Sequence, residues 1–163
     1  AATVERFGGL DALINNAGIF VTAESIALTS EHITRLWAVN VQAPMLLAQA
    51  SLPHLIRSKG RIVTISSVAA EATFTGCGVY SATKSAQEAW SRVLREELRS
   101  VGVRVSVVAP GATATEAFPG DLPIDPARLC RAEDIAAAIR CVVEQPPSAN
   151  VDRLVIAPPG GPL

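Results

Sequence analysis

Three side chains in one stretch of this sequence could move a proton. Ser67 stands thirteen residues before Tyr80, and Lys84 follows Tyr80 by four. On a helix, residues four apart share a face, so the Tyr80 phenol and the Lys84 ammonium can sit side by side. A cation beside a phenol favours the phenolate and predicts a pKa below the usual value of about 10. The positive end of the helix, one turn away, pushes the same way. A tyrosine so placed can exchange a proton with an alcohol or a ketone near neutral pH. Tyr-x-x-x-Lys is weak alone, and a half-buried tyrosine beside a solvated lysine would read identically. Yet the chain has one tyrosine and only two lysines, Lys59 and Lys84, so the pairing is seldom accidental.

The elements that must position these groups are legible around them. Ile62-Val63-Thr64-Ile65 is β-branched and too short for a helix, which predicts a buried strand ending at Ser66 and Ser67. Side chains at a strand end face the ligand crevice in open α/β folds. From about Val79 the pattern turns helical, with Ala86, Ala89, Trp90, Val93, Leu94 and Leu98 as the expected apolar face. Two further strands are predicted at 10–14 and 103–109, and a last one at 153–156. A helix from Ser30 to about Ser58 carries Pro44 and Pro53 as expected kinks, and another runs from Ala132 to about Glu144 until Pro146-Pro147 stops it. Asn15-Asn16-Ala17-Gly18 follows the first strand, and small and amide residues there suit either an ordinary turn or close approach to a ligand.

The pattern Ser67, then Tyr80-Ser81-Ala82-Thr83-Lys84, resembles the active site of the short-chain dehydrogenase/reductase family. The resemblance covers essentially all 163 residues, but only the later part of that family's fold. It implies an α/β architecture: the later part of a doubly wound, parallel, Rossmann-like sheet of about four strands with flanking helices. Residues 1–163 would form a single domain, the C-terminal portion of an NAD(P)-binding dehydrogenase. By the same resemblance Tyr80 is the general acid/base, Lys84 lowers its pKa and holds the nicotinamide ribose, and Ser67 polarises the substrate carbonyl. Asn40, within Ala38-Val39-Asn40-Val41, completes a proton relay through a water on its backbone. Asn16, Ala17 and Gly18 would line the adenosine side of the cofactor. Pro110, Gly111, Thr113 and Thr115 would meet its nicotinamide and pyrophosphate. The implied cofactor is NAD(P), with NADP favoured of the two, and the implied substrate is a small alcohol or ketone. Phe74, Cys77, Val79 and Phe118 are candidate pocket residues.

The chain has no strand–Gly-rich turn–helix of the kind on which such folds seat a pyrophosphate. Three βα units of the family's fold therefore have no counterpart in it. That leaves a second expectation open: a truncated, catalytically inactive fragment, or an assembly module retaining subunit-contact helices.

Composition narrows the classes further. Apolar residues make up 49% and charged ones 18%, as in a globular domain with a core. A net charge of −1 with scattered basic residues argues against nucleic acid or an anionic membrane as partner. The longest uncharged stretch, 36–56, holds Asn40, Gln42, Pro44, Gln49, Pro53 and His54, which a membrane span would seldom tolerate. Cys77, Cys130 and Cys141 lack metal-ligand spacing, so no metal site is expected, and reduced thiols in a cytoplasmic protein are. Surplus apolar surface on the helices predicts a homodimer or homotetramer.

Overall fold

The computed structural model describes residues 2–115 and 128–161. Four strands, β1 (Ala12–Asn15), β2 (Arg61–Ile65), β3 (Arg104–Pro110) and β6 (Arg153–Ile156), form one sheet in that order. All three pairings are parallel, with Asn15 opposite Thr64, Ile65 opposite Val108 and Pro110 opposite Ile156. Parallel strands need crossovers, and helices supply them: α2 (Ser30–Trp37) and α3 (Ala43–Ser58) between β1 and β2, α4 (Gly78–Leu98) between β2 and β3, and α5 (Ala132–Val143) between β3 and β6; α1 (Ala2–Phe7) precedes β1. The expected α/β class and all four expected strands are present. A second, two-stranded parallel pair, β4 (Thr113–Ala114) with β5 (Cys130–Arg131), was not foreseen; two-residue strands carry no periodicity to detect.

Successive residues of a strand point to opposite faces, and the core divides accordingly. Ile62 and Val105 pack on one face with Ala48, Leu55, Leu94, Leu98 and Val103, so α3 and α4 cover that side. Val63, Ile65 and Val108 pack on the other face with Val142 of α5. A sheet covered on both faces explains why β2 and β3 read as continuous apolar runs. None of the described helices is long and apolar enough to cross a membrane.

Two expectations about helices are corrected. Residues 30–58 do not form one helix kinked at its prolines. α2, capped by the Thr29 hydroxyl accepting from His32 N–H at 3.2 Å, gives way to a π-helical turn over Ala38–Gln42 before α3 begins. Pro44 lies at the start of α3, and Pro53 stays inside it. The break precedes Pro44 because proline has no N–H to give the carbonyl four residues earlier, that of Asn40.

In α4 the buried face is rotated from the expected one. It comprises Thr83, Lys84, Gln87, Glu88, Ser91, Leu94 and Leu98, whereas Val93 is 57% exposed. Only Leu94 and Leu98 of the expected face are buried. Polar residues can occupy this face because each finds a partner across it. Ser91 donates to the Thr64 hydroxyl at 3.3 Å. Glu88 accepts from Arg153 of β6 at 3.0 Å, and Arg153 also reaches Glu71 at 3.2 Å.

The α3–β2 junction leaves no room for a side chain. Lys59 ends the helix in the left-handed region at φ 51°, and Gly60 N–H donates back to the Leu55 carbonyl at 2.8 Å. A Cβ on Gly60 would lie 2.5 Å from the Asp11 carbonyl oxygen and 2.9 Å from the Ser58 Oγ. Gly60→Ala is therefore expected to destabilise the fold by about 1–3 kcal/mol, read as a lower denaturant midpoint with unchanged slope; an unaltered midpoint would show that the junction yields freely.

Candidate active site

The carboxyl ends of the strands gather the groups that could do chemistry. β1 ends at Asn15, β2 runs into Ser66 and Ser67, and β3 ends at Pro110. Ser66 N–H donates to the Val108 carbonyl at 2.8 Å, which carries the sheet ladder one step beyond β2. α4 then passes over this edge with Tyr80 in its first turn and Lys84 one turn on. The Lys84 Nζ donates to the Ile65 carbonyl at 2.9 Å and lies 5.7 Å from the centre of the Tyr80 ring. Phe20 meets that ring edge-on at 4.7 Å and 89°, so the phenol is held from two sides. Ser67 caps the short 3₁₀ turn Val68–Ala70, accepting from Ala69 N–H at 3.1 Å.

Asn40 joins this group from the π-helical turn and is fully buried. Its side-chain oxygen accepts from Ile19 N–H at 2.9 Å, and its amide donates to the Ile19 carbonyl at 2.9 Å and to the Thr83 hydroxyl at 3.2 Å. Thr83 in turn donates to the Tyr80 carbonyl at 2.7 Å. The Asn40 backbone carbonyl accepts from the Gln87 side-chain amide. One asparagine thus ties the segment after β1 to the helix that carries Tyr80 and Lys84. Thr83 and Gln87 were not anticipated from the sequence. Their signal was the spacing 80, 83, 84, 87, 91, a polar stripe on one helical face.

The expected depression of the Tyr80 pKa is not found. Burial pushes the phenol above its usual range and outweighs a downward pull from the Ser67 hydroxyl, with the Cys77 thiol adding a smaller upward push. The two hydroxyls are near enough for that pull without making the geometry of a full hydrogen bond. Lys84 does not offset the burial because its ammonium is turned to the Ile65 carbonyl and to the ring, and is itself desolvated. Burial lowers its pKa from the ordinary 10.5 to about 8. Tyr80 is therefore a neutral O–H at physiological pH.

The other expected site residues lie along the same edge. Asn16, Ala17 and Gly18 are exposed just beyond β1. A Cβ on Gly18 would come within 3.4 Å of Asn40 Oδ1 and 3.6 Å of Lys84 Nζ, so a glycine here leaves open space beside the ammonium. Pro110 and Gly111 end β3, with Gly111 against Ala157 and Pro158 at 3.0–3.2 Å of an added Cβ. Thr113 turns its hydroxyl to the Gly111 carbonyl at 2.9 Å, while Thr115 is exposed. Phe74 and Val79 are half-buried and Cys77 is buried; Phe118 lies outside the described residues. The open glycine and the unspent ammonium hydrogens of Lys84 fit the nicotinamide–ribose half of a dinucleotide. No glycine-rich turn at a helix N-terminus offers itself to the pyrophosphate among the described residues.

The sheet order and the helices on both faces, with a Ser–Tyr–Lys group at the strand ends, define a Rossmann-like α/β fold. The chain belongs to the short-chain dehydrogenase family, whose model matches residues 1–121. An uncharacterised oxidoreductase of Methylorubrum extorquens is 43% identical over 115 residues, which cover 71% of this chain and 46% of that protein. A short-chain dehydrogenase from Burkholderia cenocepacia, solved in complex with NADP, superposes with a TM-score of 0.86 at 36% identity, covering 96% of this chain and 67% of that one. An alcohol dehydrogenase from Thermococcus sibiricus, complexed with 5-hydroxy-NADP, gives a TM-score of 0.89 at 27% identity, covering 98% and 68%. The matched region is thus less than half the length of the Methylorubrum relative and about two thirds of the two solved chains.

The buried lysine makes stability depend on pH in a defined window. Its folded pKa of about 8 lies below its ordinary 10.5. Between those values the unfolded chain binds more protons, so stability rises with pH there. The burial penalty is fully present below pH 8 and relieved by pH 10.5. Compared with Lys84→Met, the native chain should gain up to a few kcal/mol across this window, seen in paired denaturation curves. A constant difference between the two proteins would show that Lys84 titrates normally.

Proposed function

We propose that this chain is the catalytic portion of an NAD(P)-dependent oxidoreductase that interconverts an alcohol and a ketone, forming one domain over residues 1–163. The observation that carries this reading is the Lys84 ammonium, fixed to the Ile65 carbonyl and set against the Tyr80 ring at the strand ends. Ser67, Tyr80, Lys84 and Asn40 are its catalytic group. Asn16, Ala17, Gly18, Pro110, Gly111, Thr113 and Thr115, with Tyr80 and Lys84, are its cofactor-binding residues. The NADP named in the Burkholderia and Thermococcus structures favours NADP over NAD.

When bound, a nicotinamide supplies or accepts the hydride. The chain's own residues handle the proton. In the reducing direction Ser67 donates a hydrogen bond to the ketone oxygen and Tyr80 delivers its phenolic proton to that oxygen as charge develops there. A phenol kept neutral by burial suits that step. The Lys84 ammonium, 5.7 Å from the centre of the Tyr80 ring, is the cation that faces the phenolate left behind. Asn40 holds Thr83, and with it the first turn of α4, so that phenol and ammonium keep their relative places.

Tyr80→Phe in the whole enzyme should abolish turnover without altering the fold, because only the phenolic hydroxyl is lost. Lys84→Ala should be nearly as damaging and should also weaken cofactor binding. A Tyr80→Phe enzyme keeping more than about a tenth of the native kcat, a loss below about 1.4 kcal/mol, would sink the assignment.

Apolar surface favours a second reading, that the chain serves assembly. Trp37, Leu46, Leu47 and Val93 are 41–57% exposed. Ile33, Trp37, Val41, Met45 and Leu46 line an apolar groove of about 570 Å³ along α2 and α3. The two readings are compatible in a homodimer or homotetramer that buries this surface. The free thiols Cys77, Cys130 and Cys141 suit a reducing, cytoplasmic setting. Sedimentation of the whole enzyme at micromolar concentration should show a dimer or larger, and a monomer alone would refute the assembly.

A further inference from the structure

Two chain segments wall the Tyr80 phenol, and their charges restrict what can be attached to a carbonyl placed there. Phe20, in the segment after β1, meets the Tyr80 ring edge-on at 4.7 Å. The Ser67 hydroxyl and the Cys77 thiol both bear on the phenol from the segment after β2. The Ala23 N–H donates to the Gly76 carbonyl at 2.9 Å and so joins the two segments. The phenol's neighbours from them are an aromatic ring, a buried thiol and one hydroxyl.

Neither segment holds a cation. Residues 16–29 contain no lysine, arginine or histidine and one acid, Glu24; residues 66–79 contain no basic residue and one acid, Glu71. Both acids are exposed. The sequence after β3 continues the pattern, with Glu116, Asp121 and Asp125 and no basic residue from Gly111 to Ala127. Arg153 approaches from β6, but Glu88 at 3.0 Å and Glu71 at 3.2 Å hold it, one positive charge against two negative. Arg131 is paired with Asp134 at 2.9 Å, and Arg128 lies by the tail at Gly160. Lys84 has one hydrogen on Ile65, and its Nζ borders the space at Gly18 that the reading above gives to the cofactor.

This charge set discriminates between substrates. A carboxylate close to the reacting carbonyl would have to leave water beside the phenol, and burying it there without a cationic partner is strongly unfavourable. Glu24 and Glu71 would repel it as it approached. A cationic substrate would instead meet the Lys84 ammonium, set against the same ring. We propose that the substrate is an uncharged carbonyl compound with apolar substituents, and that ketones and alcohols bearing a carboxylate are excluded by charge. This rests on the proposed role of Tyr80; what it adds is the substrate class. In the reducing direction the carbonyl carbon takes the hydride of the nicotinamide and its oxygen takes the Tyr80 proton, so a neutral ketone leaves as a neutral alcohol.

The test compares three matched compounds on the whole enzyme with its cofactor: methyl acetoacetate, acetoacetamide and acetoacetate. They share the ketone and differ at one end, and the amide has nearly the size and shape of the carboxylate. The ester should be the best substrate, and kcat/KM for acetoacetate should be at least about a hundredfold below that of either neutral compound. Acetoacetate turned over as well as the amide, or no turnover of either neutral compound, overturns the proposal. Tyr80→Phe separates it from the reading beneath. A Tyr80→Phe enzyme that still reduces the ester rejects that reading; an inactive Tyr80→Phe beside a native enzyme that prefers acetoacetate rejects the substrate class alone.

Discussion

The hydrogen bond from Lys84 to the Ile65 carbonyl is the constraint on which the arrangement turns. Burying an ammonium costs several kcal/mol unless it is well partnered. A carbonyl at the end of a parallel strand provides a partner in a fixed direction, because the strand is itself paired on both sides. The bond therefore sets the height of α4 over the sheet edge. It places Tyr80, one turn earlier, beside the Ser67 turn. The surviving penalty is visible as a lysine that titrates near 8.

A buried cation needs a neighbourhood that tolerates polarity, and α4 supplies one. Thr83, Gln87, Glu88 and Ser91 lie beside Lys84 on the covered face and engage three other elements: the Asn40 turn, β6 and β2. Such a helix does not slide easily, because a shift would leave several buried groups unpaired at once. The apolar residues displaced from that face, Val93 foremost, remain outside.

Much of the architecture was legible in advance. The β-branched runs before Ser66 and Pro110, the short run before Asn15 and the last run at 153–156 each became a parallel strand, because local pattern and, for β2 and β3, burial on both faces agree. Ser67, Tyr80 and Lys84 were named at a strand end and a helical spacing, whereas Asn40, which ties into the same helix through Thr83, was named by the family resemblance alone. The face of α4 was misread. Hydrophobic periodicity marks where a helix can be buried, and it cannot see that polar residues will find partners across the interface.

The sequence by itself determined the four strands, the presence of helices between them and the spacing of Tyr80 and Lys84, because these follow from short apolar runs and a four-residue spacing along one chain. Tertiary structure alone decided which way the phenol's pKa moves: burial outweighs the downward pull of the Ser67 hydroxyl. It also decided the partner of the Asn40 carbonyl. Pro44 made that carbonyl needy, but only the packing of α4 across it, 47 residues further on, brought the Gln87 amide within reach. Long-range contacts of this kind depend on which faces meet, and no local spacing records that.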